Sequence, residues 1–106
     1  MDYTFNEYSR RAATTLKKGQ SARDRLTEGA IGLASETGEV TGLIKAFLFH
    51  GKELDIAELE LELGDAVWYI NEICLATGLT LEGVAKGNNR KLAKRHPHGF
   101  LAEEGR

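Results

Sequence analysis

The sequence predicts an all-α protein, an antiparallel four-helix bundle, from three observations. Its one proline, Pro97, falls after the last periodic segment, so no proline interrupts the helical stretches. Apolar residues recur with the three-to-four residue period of an α-helix. Breaks suited to tight turns separate those periodic runs: KKGQSARD at 17–24, FHGKE at 49–53 and TGLT at 77–80, where Gly51 and Gly78 can end helices in a left-handed conformation.

Four helices follow, over 4–16, 25–48, 54–77 and 80–95, with Thr80 as N-cap of the last. The third needs the closest argument, because AELELELGDAVWYI (57–70) begins with glutamate and leucine in strict alternation, the pattern of a half-buried strand. Continued as a strand beyond Gly64, it would place Asp65, Val67, Tyr69 and Asn71 on one face, which is not coherent. Turned at about 100° per residue, Leu59, Leu63, Ala66, Ile70 and Ile73 instead form one apolar stripe, with Glu60, Gly64 and Asn71 opposite. Glu62 then faces inward with Asp65 beside it. Trp68 points away from the acids, toward Leu61 and Leu75, as a second apolar strip.

The second helix repeats the anomaly. In GLASETGEVTGLIKAFLF, Glu36 and Glu39 share a face with Leu33, Val40, Leu43, Ile44 and Phe47, whereas Ala34, Gly38 and Lys45 lie opposite. Two helices thus offer four carboxylates to one region. At about 4 Å and an effective dielectric near 20, each ionised pair costs roughly 4 kcal/mol, against a whole-domain stability of about 5–15 kcal/mol. Shared protons, basic partners or cations must offset that repulsion. An all-oxygen donor set suits Mg²⁺, or Mn²⁺, ions that keep positions open for water and phosphate oxygens. A di-iron centre is the competing reading, but it calls for Glu-x-x-His pairs, and His50, His96 and His98 lie outside the acidic motifs.

The chain of 106 residues, 42% hydrophobic and 28% charged, fits a single domain over 1–106. No run approaches the roughly 18 apolar residues of a membrane span, and the start, MDYTFNEYSRR, lacks the layout of a secretory signal; a cytoplasmic protein is expected. A net charge of -2 gives no grip on nucleic acid. Cys74 stands alone in an apolar run and reads as a buried structural thiol.

The ordered set LASETGEV, ELGDAVWYI and NNRKLAKRHPHGF resembles the MazG-like all-α nucleoside triphosphate pyrophosphohydrolases, whose signature is ExxE, a spacer, then ExxD. Here the spacer is the 22 residues 40–61, and Asn88, Lys91, Leu92 and the RxPxGF ending (Arg95, Pro97, Gly99, Phe100) also match. The likeness covers 28–100 well and the first helix loosely. It implies Mg²⁺-dependent hydrolysis between the α- and β-phosphates of a nucleoside triphosphate, giving a monophosphate and pyrophosphate. Glu36, Glu39, Glu62 and Asp65 would be the metal ligands and catalytic set. Ser35 stands where some members carry a further glutamate, which leaves the general base and the number of metals open.

Asn88, Lys91 and Arg95 share one face of the last helix, and with Tyr69 are the expected substrate-binding residues, lysine as a point charge and arginine as a bidentate phosphate binder. Tyr3, Phe5 and Tyr8 read as core packing, with a base-stacking wall as the alternative. Trp68, Leu61 and Leu75 suggest a subunit interface through which a small bundle completes its core as a homo-oligomer, a dimer or tetramer. The alternatives to a triphosphate hydrolase are a non-catalytic helical module that binds metal or nucleotide, and a related pyrophosphohydrolase of a phosphoribosylated nucleotide.

Overall fold

A computed structural model of the chain describes residues 2–99; Phe100, the last residue of the RxPxGF stretch, lies outside them. The described chain is all-α, with four helices: α1 (Phe5–Ala13), α2 (Ala22–Phe49), α3 (Ile56–Thr77) and α4 (Leu81–Arg95).

Local side-chain chemistry sets the helix ends. Thr4, Ser21, Asp55 and Thr80 are the N-caps, each accepting a hydrogen bond from a backbone N–H in the first turn. α2 starts three residues earlier than the periodicity predicts because Ser21 and Asp24 form a reciprocal capping box. α1 stops at Ala13, short of the expected 16, where the Thr14 and Thr15 hydroxyls donate to the carbonyls of Arg11 and Ala12. Gly51 (φ 70°) and Gly78 (φ 78°) adopt the left-handed conformation, as the breaks at those positions require.

α2 and α3 form the antiparallel spine. A Cβ on Gly29 would come within 2.6 Å of Ile73 Cγ1, and one on Gly32 would meet the Tyr69 ring, so rising numbers in α2 face falling numbers in α3. Their missing side chains allow the two backbones to approach closely. α1 and the turn that follows it are held to α3 by hydrogen bonds from Ser9 Oγ to Asn71 Oδ1 (2.7 Å) and from Trp68 Nε1 to Thr15 Oγ1 (2.8 Å). Asn6 Nδ2 joins it to Glu82 on α4 at 2.9 Å.

The molecule is open for its length. Its Cα radius of gyration is 16.9 Å, against about 13 Å expected for a compact domain of this size. Among the described residues the buried apolar side chains are Ala12, Cys74 and Leu81. Of the apolar stripe predicted on α2, Leu33, Val40 and Leu43 are half-buried, while Ile44 and Phe47 are exposed. No described helix is long and apolar enough to cross a membrane.

Candidate metal centre

The register that sets Gly32 against Tyr69 carries Glu36, one turn further along α2, toward Asp65, one turn earlier on α3. Glu36, Glu62 and Asp65 each place a carboxylate oxygen within 4.8 Å of the others. Glu36 and Glu62 are half-buried and Asp65 is exposed. Glu39, expected inward with them, is exposed and outside this trio, because neither α1 nor α4 closes over that edge of the α2–α3 pair. Its charge still reaches Glu62.

The trio behaves as the repulsion argument requires. Glu62 is held above the usual carboxylate range, first by hydrogen bonding of its protonated form to Glu36, then by desolvation and the charges of Glu36, Glu39 and Asp65. All the charges acting on it are negative. Glu36 Oε2 is buried without a hydrogen-bond partner among the described residues, an orphan acceptor that a cation would satisfy. Metal–oxygen distances of about 2.0–2.6 Å for hard divalent ions put three carboxylate oxygens that lie within 4.8 Å of one another within reach of one ion. The donor set, all carboxylate oxygen, fits a hard divalent cation.

A cavity of about 330 Å³ opens beside the trio, lined by Glu36, Asp65, Trp68 and Tyr69. Trp68 therefore stands next to the acids, not on a separate strip turned away from them. The step from residue 65 to 68 is only about 60° around a helix, and the bond to Thr15 holds the indole on that side. Trp68 and Tyr69 meet edge to face with centroids 5.2 Å apart. Burial, then the charges of Glu36, Glu28, Asp65 and Glu72, hold the Tyr69 phenol above its ordinary range.

The predicted basic face is not brought to the trio. Asn88, Lys91 and Arg95 are exposed, and among the described residues the ion pairs are Glu7 with Arg10 and Arg11, and Glu82 with Lys86.

One cluster is absent from the sequence-based expectations. Glu72 is 1% exposed, and neither of its oxygens has a hydrogen-bond partner among the described residues. Burial, then interaction with the nearby Glu28 carboxylate, pushes it up to about 7, with Arg25 acting in the opposite sense. Glu72 lies seven residues after Asp65, two turns along the same face; that spacing was the available signal.

Comparison with known proteins identifies the family. A family model described as the MazG nucleotide pyrophosphohydrolase domain matches residues 27–100. The chain is also similar to the Gene 37 protein of Mycobacterium phage L5, with 29% identity over 79 residues, covering 71% of this chain and 69% of that one. No solved structure matches. The family match spans both acidic motifs, the glycine that seats Tyr69 and the basic last helix, and the chain belongs to the MazG nucleotide pyrophosphohydrolase domain family.

Proposed function

We propose that this chain is a Mg²⁺-dependent nucleoside triphosphate pyrophosphohydrolase that cleaves between the α- and β-phosphates, releases a monophosphate and pyrophosphate, and removes unwanted nucleotides from the pool. The observation that carries the reading is the trio of carboxylates converging within 4.8 Å, with only negative charges acting on Glu62.

Glu36, Glu62 and Asp65 would hold the ion, with Glu39 added from the open edge once positive charge makes its approach favourable; Mn²⁺ would serve in the same way. A bound divalent ion supplies charge stabilisation at the phosphate oxygens and acidifies a water. The chain supplies the rest. Trp68 and Tyr69 wall one side of the cavity. A carboxylate oxygen of the set that is left off the ion accepts the proton of the attacking water.

The substrate phosphates also call for cations that the trio lacks within one chain. Homo-oligomerisation, as a dimer or tetramer, answers this need together with the exposed apolar surface. Phe49 is 75% and Leu61 70% exposed, and Phe47, Leu48 and Ile56 are exposed as well. Pairing across this surface would finish the core and present Asn88, Lys91 and Arg95 of a neighbouring copy to the phosphates.

Incubation with a panel of nucleoside triphosphates, a phosphoribosylated nucleotide and Mg²⁺ tests the reading. Equimolar monophosphate and pyrophosphate are expected. Diphosphate with orthophosphate, or nucleotide affinity without turnover by folded protein, would contradict it.

A further inference from the structure

Trp68 lines the same cavity of about 330 Å³ as Glu36 and Asp65, so a ligand whose phosphates reach the acids meets this side chain without leaving the cavity. The volume is near the lower end of the roughly 300–1,000 Å³ of small-molecule sites. Tyr3, Phe5 and Tyr8 line a different cavity, with Thr4, Val67 and Glu82, and the two have no lining residue in common. Trp68 and Tyr69 are therefore the aromatic groups placed to meet the organic part of a phosphate ester bound at the acids.

The indole is fixed by a two-step relay. Its Nε1–H donates to Thr15 Oγ1 at 2.8 Å, and that hydroxyl donates in turn to the Ala12 carbonyl at 2.7 Å. Ala12 is the buried residue of α1, so the relay ends on packed backbone. Tyr69 adds its edge-to-face contact at 5.2 Å between centroids. A ring set in place before a ligand arrives has little freedom left to lose on binding. The indole has one polar atom, a donor, and the bond to Thr15 commits it. What Trp68 offers the cavity is ring surface alone, and because the residue is half-buried part of that surface is accessible.

We propose that Trp68 is the stacking platform for the nucleobase of a triphosphate held at the acids, that Thr15 is the residue positioning it, and that the site accepts purines and pyrimidines alike. The proposal rests on the hydrolase reading given above. Stacking tolerates any base, since every base has a π face. Strong discrimination needs polar groups dedicated to one base edge. Here the Trp68 N–H and the Thr15 hydroxyl proton are spent within the protein, and Glu36 and Asp65 are taken by the ion. The Tyr69 hydroxyl both donates and accepts, so it suits any base edge or a sugar hydroxyl. Purines, with the larger ring system, overlap more of the indole and gain a modest preference.

The test measures Mg²⁺-dependent kcat and KM for ATP, GTP, CTP, UTP and ribose 5-triphosphate, which lacks only the base, in the full chain and in variants. In the wild type the four nucleotides should lie within about tenfold of one another in kcat/KM, and all above ribose 5-triphosphate. Trp68→Leu should lower kcat/KM by about tenfold to a hundredfold for each nucleotide, chiefly through KM, and by much less for ribose 5-triphosphate. Trp68→Phe, which keeps a smaller ring, should recover part of the loss. Thr15→Val should raise KM for nucleotides, with Thr15→Ser, which keeps the hydroxyl, close to the wild type. An equal fall on ribose 5-triphosphate in Trp68→Leu would overturn the platform, and equal KM values in the two Thr15 variants would overturn the positioning role. A preference above a hundredfold between two bases would overturn the tolerance. If the wild type hydrolyses no triphosphate, the hydrolase reading fails and the emission of Trp68, the single tryptophan, decides for the platform. Quenching by both AMP and CMP but not by ribose 5-phosphate supports it; quenching by only one nucleotide contradicts its tolerance, and quenching by neither overturns it.

Discussion

The side-chain carbon that Gly32 lacks would clash with the ring of Tyr69. The aromatic wall of the metal centre is therefore seated in a groove that only glycine leaves open, and helix packing and site geometry are one feature. Gly32→Ala is expected to displace the ring, costing roughly 1–3 kcal/mol of stability, the usual range for overpacking, and to lower turnover. Gly38, on the same helix, has open space where a methyl group would stand, with nothing within 4 Å; Gly38→Ala should instead stabilise by about 0.5–1 kcal/mol. Urea denaturation of both variants checks the contrast.

Glu72 makes stability depend on pH. Its carboxyl is raised from 4.5 to about 7 in the folded chain, so between those values the folded state binds more protons than the unfolded state, and stability falls as pH rises. The penalty is complete above about pH 7, of order 3 kcal/mol at 1.36 kcal/mol per pKa unit. From α2, Glu28 adds to this penalty and Arg25 opposes it. Glu72→Gln should match the wild type near pH 5, exceed it in stability at pH 8, and flatten the profile between. Denaturation midpoints across that range provide the measurement.

The elements were legible because their signals are local. Hydrophobic period, Thr80 before the last helix, and Gly51 and Gly78 at the turns are all decided within a few residues. The proximity of Glu36 to Glu62 and Asp65 was legible for a related reason: each acid's facing follows from helical angle alone. What angle cannot supply is cover. Glu39 shares the face of Glu36 but is exposed, because burial depends on whether a third helix closes over that edge. Trp68 stands nearer the acids than its apolar character suggests, since a small angular step does not make a separate face. The spacing from Asp65 marks the face of Glu72, but its burial comes from how α3 packs against its neighbours, which no short motif encodes.

Metal should act on stability in a way set by charge. Without a divalent ion, Glu62→Gln is expected to be more stable than the wild type, because it removes a like charge beside Glu36 and Asp65. With Mg²⁺ the order should reverse, since only the wild type gains binding free energy; a ligand at a hundredfold its Kd adds about 2.7 kcal/mol. Thermal unfolding with and without chelator would show the crossing. Turnover by Glu62→Gln should fall by about two orders of magnitude or more, beyond the 10–100-fold typical of losing an outer-shell partner.

Trp68 is the single tryptophan and lines the cavity with Glu36 and Asp65, so its fluorescence reports directly on the site. The central claim, that the converging carboxylates are a divalent-cation site, is tested most directly by titrating Mn²⁺ and following quenching of that emission in the wild type and in Glu62→Gln. Saturable quenching in the wild type, reversed by excess Mg²⁺ and lost in the variant, is the predicted result. Equal quenching in both proteins, or none in the wild type, would contradict it.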